Sequence, residues 1–87
     1  MFVKILNELI NMDHVEVVET VLHTNAIKHI DENVKEVVTS KIIFYRNFDS
    51  ADILDAVIFD GIDDADNWLK KLSEAIDAGQ NLFEIEL

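Results

Sequence analysis

Residues 24–38 read TNAIKHIDENVKEVV, and the fold turns on whether they are helical or extended. On a helix, Ile27, Ile30, Val34 and Val37/Val38 form a stripe at 3.6-residue spacing. On strands, Asp31-Glu32-Asn33 is the turn of a long hairpin. Val34, Val38, Ile42 and Phe44 then share one face, opposite Lys35, Thr39 and Lys41. The β-branched run continues into KIIFYRN at 41–47. Val and Ile pack well on a pleated surface, so the segment reads as a hairpin.

Immediately upstream, Val15–Leu22 is also rich in β-branched residues. Val15, Val17 and Val21 fall on one face, Val18 and Leu22 on the other. Apolar residues on both faces predict a central strand. Further upstream, Phe2–Leu6 reads as a strand, Asn7-Glu8 as a tight turn and Leu9–Met12 as a second short strand. Asp13-His14 interrupts it. Downstream, Ile53–Phe59 is a strand joined to the 41–47 strand through FDSAD at 48–52, a usual hairpin connection.

A helix is predicted over about residues 63–78. Asp63 suits its N-cap, and Asp66 stands where a capping box places its acid. Ala65, Trp68, Leu69, Leu72 and Ile76 form its apolar face, and Gly79 suits the position after the C-cap. NLFEIEL then closes the chain as a strand, with Phe83, Ile85 and Leu87 opposite Glu84 and Glu86. The expected architecture is α+β, one domain over residues 1–87. It is a mostly antiparallel sheet of hairpins with one helix packed across it and a final short strand returning to the sheet.

Composition narrows the function classes. A hydrophobic fraction of 49% fits a folded domain rather than a disordered one. No apolar run reaches the roughly 20 residues of a membrane helix. The N-terminal apolar run is broken by Lys4, Asn7, Glu8 and Asn11 and has no small-residue cleavage site after it, unlike a secretion signal. The absence of cysteine removes disulfide and thiolate chemistry and agrees with a cytoplasmic setting.

The net charge is −11. It opposes direct binding to nucleic-acid backbones and to anionic membranes. The charge is uneven. Residues 1–48 carry seven acids against five bases, and residues 49–87 carry eleven acids against two lysines. The stretch FDSADILDAVIFDGIDDADNW, residues 48–68, holds seven aspartates and no Lys or Arg: Asp49, Asp52, Asp55, Asp60, Asp63, Asp64 and Asp66. Four of them lie at the start of the predicted helix, where the macrodipole favours anions by about 0.3–1 kcal/mol each. That is more acid than capping requires.

Specific chemistry finds little support. DGIDDAD lacks the spacing of a calcium loop. His23 and His29 on an extended strand would stand about 20 Å apart, too far for one ion. No Ser-His or Cys-His pattern and no phosphate-cradling glycine loop is present, so no catalytic residue, metal or cofactor is expected. Tyr45 with Lys41 and Arg46 is an alternative ligand site, in which a base stacks on the ring and the cations meet its phosphates.

The expected function is that of a small acidic non-enzymatic interaction protein, an inhibitor or adaptor. Its seven aspartates would dock on a basic protein partner, which could itself bind nucleic acid. In bulk properties alone it resembles phage-encoded inhibitors and DNA mimics. The alternative is an oligomeric sponge for a nucleotide or other small ligand, with a pocket between subunits. The two-faced strand at 15–22 points to a homo-oligomer.

Overall fold

The computed structural model describes the backbone of residues 1–28 and 34–87 and the side chains of residues 1–22 and 38–87. Phe2–Ile5 (β1) and Glu8–Asn11 (β2) form a hairpin closed by the two-residue turn Leu6-Asn7. A 3₁₀ turn at Met12–His14 follows, capped by Asn11, whose side chain accepts the Asp13 N–H at 3.0 Å. It ends the first hairpin where the sequence predicted a break at Asp13-His14.

Val17–Lys28 (β3) and Val34–Asn47 (β4) then pair antiparallel from Val17↔Tyr45 to Lys28↔Val34. The segment that decides the fold is therefore extended on both flanks; its predicted turn at Asp31–Asn33 lies outside the described residues. Asp52–Phe59 (β5) pairs antiparallel with β4 from Ser40↔Phe59 to Asn47↔Asp52, with register shifts between Phe44 and Asn47. The helix α1 spans Asp64–Asp77. Its C-terminus closes with the Gly79 N–H on the Ile76 carbonyl and the Gln80 N–H on the Ala75 carbonyl. Glycine suits this closure because φ at Gly79 is +69°. Leu82–Ile85 (β6) ends the described secondary structure.

The class is α+β, as expected, but three features of the arrangement differ from the sequence reading. The described strands form two three-stranded sheets, ordered β2-β1-β6 and β3-β4-β5, rather than one. The final strand does return to a sheet, but beside β1 and parallel to it, with Val3 opposite Phe83 and Ile5 opposite Ile85. The central strand of the second sheet is β4, and the strand predicted to be central, β3, lies at its edge. The burial explains the exchange. Val17, Val18 and Val21 are only half-buried, whereas Ile42, Ile43, Phe44 and Tyr45 are buried in succession, and consecutive burial means that both faces of β4 are covered.

The core lies between the sheets and the helix. Val3, Ile5, Ile10 and Ile85 of the first sheet meet Ile42, Phe44, Val57 and Phe59 of the second, with Ala65 and Leu72 of α1. Trp68 packs at its margin, edge-to-face with Phe83 at 6.0 Å between ring centres. Two apolar positions depart from expectation. Ile76 is exposed and Ala75 is buried in its place, while Leu87 lies beyond β6 and is exposed. Strand alternation buries Val3 and Ile5 and turns Phe2 and Lys4 outward, so the first sheet has one covered and one uncovered face.

Candidate interaction surface

The start of α1 is fixed by the second sheet and not by its own aspartates. Asp63 occupies the N-cap position but sits in helical backbone geometry, and its side chain makes no capping hydrogen bond. The expected Asp63/Asp66 capping box is absent. Its job falls to Ser40 of β4, which is 1% exposed. The Ser40 hydroxyl accepts the Ala65 N–H at 3.1 Å and donates to the Gly61 carbonyl. Ala65 is the second helical residue, one of the positions whose N–H an N-cap side chain ordinarily satisfies. Asp66 is engaged from β3, its carboxylate accepting from the Thr20 hydroxyl at 2.7 Å.

These two anchors leave Asp60, Asp63 and Asp64 exposed around the first turn of the helix. Gly61 makes room for one of them: a Cβ at that position would collide with the Asp64 carboxylate. The result is an outward-facing set of carboxylates at the positive end of a helix dipole.

The other aspartates of the 48–68 stretch stand elsewhere. Asp49 and Asp52 are exposed at the β4–β5 turn, where Arg46 lies 3.7 Å from the Asp52 carboxylate. Both partners are well exposed, so the pair contributes about 0–1 kcal/mol. Asp52 and Phe59 are seven residues apart on one strand, about 24 Å at a rise of ~3.4 Å per residue. The hairpin-end and helix-start aspartates therefore lie at opposite ends of β5 and form two separate groups.

Asp55 belongs to neither group. It is half-buried in mid-strand and meets Glu8 of β2, from the other sheet. Its carboxylate also accepts the Ala56 N–H at 2.7 Å. The Glu8 carboxyl is held above its usual range, first by its hydrogen bond to Asp55, then by repulsion from that carboxylate, then by partial desolvation. The contact with Asp55 thus favours the protonated form of Glu8. They border a cleft of about 450 Å³ that Asn11 and His14 also line. The sequence reading placed Glu8 in a tight turn and His14 in a strand break, whereas Glu8 opens β2. Glu8 and Asp55 lie on strands of different sheets, and no local spacing joins them.

The alternative ligand site is dispersed. Tyr45 is 8% exposed; its hydroxyl donates to Glu19 at 2.9 Å and its ring meets Phe48 edge-on at 5.1 Å. The Glu19 hydrogen bond, followed by desolvation and the Glu19 charge, raises the Tyr45 pKa above the ordinary phenol range. Lys41 is four residues along β4, about 13 Å away at strand rise. Arg46 is turned to Asp52. A ring so covered offers little open face to a base within one chain.

Among the described residues, no three His, Asp or Glu side chains are disposed to hold a metal ion. No described helix is long and apolar enough to cross a membrane. Comparison of the chain with protein-family models, curated proteins and solved structures finds no match.

Proposed function

We propose that this is a non-enzymatic interaction protein, an inhibitor or adaptor, whose exposed aspartates dock on a basic protein partner in the cytoplasm. The supporting observation is uncompensated charge. The residues whose side chains are described include fifteen acids, and the one ion pair among them is Arg46–Asp52. At the helix start, Asp60, Asp63 and Asp64 are exposed, and self-repulsion there opposes folding. A cationic partner relieves that repulsion on binding.

The helix-start group is the leading contact in this reading and the hairpin-end pair, Asp49 and Asp52, a second one. Such a surface repels a phosphate backbone, so the partner is a basic protein, including one whose own ligand is nucleic acid. The burial of Tyr45 favours this reading over a nucleotide sponge.

The test uses immobilised wild-type protein and its D60N/D63N/D64N variant, each exposed to lysate of the native host. The reading expects the wild type to retain a basic protein that raised NaCl elutes, and the variant to lose it. Equal retention by both proteins would make these aspartates a solvated face and nothing more.

A further inference from the structure

The uncovered face of the first sheet carries Phe2, Lys4, Leu9, Leu82 and Glu84, and Leu6 of the β1–β2 turn adjoins it. The four apolar residues are exposed to 45% (Phe2), 65% (Leu6), 64% (Leu9) and 53% (Leu82). Together with Lys4 they border one basin of about 560 Å³. Exposed apolar side chains on a monomer are ordinarily scattered singly, and a rimmed cluster marks an interaction surface. Leu6 breaks a second local rule. Its φ of +52° lies in the left-handed region, where glycine or asparagine is at ease and leucine is strained. Departures from local preference gather where function requires them.

We propose that this face is the interface of a symmetric dimer, its occupant a second copy of the chain. Charge selects the occupant. With −11 on each copy, two copies repel wherever acid meets acid. On this face Lys4 stands in register with Glu84 on the neighbouring strand. A two-fold axis running along the strands midway between β1 and β6 sets the patch against itself with Lys4 of each copy facing Glu84 of the other. None of the seven aspartates borders the basin; its one acid is Glu8, beside Lys4 in the same lining. A basic partner has less to bind here than at the helix start, whereas a second copy finds apolar surface and a matched pair of opposite charges. The two sheets then stack face to face at about 10 Å, as in a sandwich.

This inference stands independently of acidic docking, because the two respond to salt with opposite sign. Screening weakens the attraction of aspartates for a basic partner, but it weakens the net repulsion between copies and so strengthens the dimer.

The test is sedimentation of the full chain, with folding of each variant confirmed by circular dichroism. The wild type is expected to dimerise at about 100 μM or below, more tightly as NaCl rises, and L9D to weaken the dimer at least about tenfold. K4E and E84K protein are each expected to dimerise poorly alone and to recover dimer when mixed, since the mixture alone restores opposite charges across the axis. Any of three results overturns the proposal: a wild-type monomer throughout this range, L9D dimerising like the wild type, or a mixture no better than its components. A monomer that loses its basic partner on L9D substitution assigns the face to that partner instead, and equally overturns the dimer.

Discussion

Replacing Ser40 by alanine removes both hydrogen bonds that tie the start of α1 to β4. The Ala65 N–H and the Gly61 carbonyl lose the hydroxyl that satisfies them. Ala65 is buried, and Ser40 itself is almost wholly enclosed, so water does not readily take the place of the hydroxyl. An unsatisfied buried group costs about 1–3 kcal/mol, and the two together are expected to cost ~2–4 kcal/mol. A domain of this length has a total stability of about 4–13 kcal/mol, so the loss is a large fraction. The melting temperature should fall by roughly 8–32 °C, at ~4–8 °C per kcal/mol for a domain this small. The matched control is Asp63→Ala. On sequence grounds Asp63 is the cap, and its loss would cost about 1 kcal/mol. In the structure it makes no capping bond, and the lost helix-dipole attraction is offset by relief of repulsion from its neighbours, leaving under about 0.5 kcal/mol. Urea titration followed by Trp68 fluorescence and far-UV circular dichroism measures both, provided the m-value is unchanged. If Asp63→Ala costs more than Ser40→Ala, the assignment of the cap to β4 is wrong.

Three further outcomes are expected. Glu8→Gln should raise the melting temperature at pH 7, because the amide reproduces the protonated acid beside Asp55. The folded pKa of Glu8 is raised, so its contribution to stability is fully present below the ordinary value of 4.5 and is lost as pH rises through the folded pKa. The gap between variant and wild type should therefore close on acidification, and a gap that widens would contradict the carboxyl pairing. For the wild type, the melting temperature should climb by several degrees between about 0.01 and 0.15 M NaCl, as the Debye length shrinks from ~30 to ~8 Å. A flat or falling curve would mean that the acids are already neutralised within the fold. Ala51→Gly should stabilise by roughly 0.5–1 kcal/mol in a urea titration. Ala51 holds φ at +54° in the β4–β5 turn, and glycine relieves about 1–2 kcal/mol of left-handed strain against its own larger unfolded-state entropy.

The elements whose information is local were legible in the sequence. The strands at 41–47 and 53–59, the helix beginning after Asp63 and Gly79 as its terminator all follow from periodicity and end signals, and the structure has them. The hairpin flanks at 24–28 and 34–38 follow from β-branched content. What the sequence reading missed depends on which element meets which. Nothing in VEVVETVL marks it as an edge strand, because its two-faced apolarity is matched only by partial burial. The better sign of a central strand was the unbroken IIFY at 42–45. Periodicity places a helical face only to within about one residue, or 100° of arc, so Ala75 and Ile76 could be exchanged. Ser40 lies 25 positions from the N–H it satisfies, and Glu8 meets Asp55 from another sheet. The split of the acidic stretch into two groups follows from the length of β5, which was visible in the sequence, but not from the count of aspartates.

Docking by the helix-start aspartates is decided by the rate at which this protein associates with the basic partner it captures, measured at about 0.01 and 0.15 M salt for wild type and D60N/D63N/D64N. Electrostatic docking acts mainly on the on-rate and screens with the Debye length. The wild type should associate several-fold faster at low salt. The variant should associate more slowly there, with a shallower salt dependence and a dissociation rate close to that of the wild type. Equal association rates and equal salt slopes for the two proteins would contradict the account.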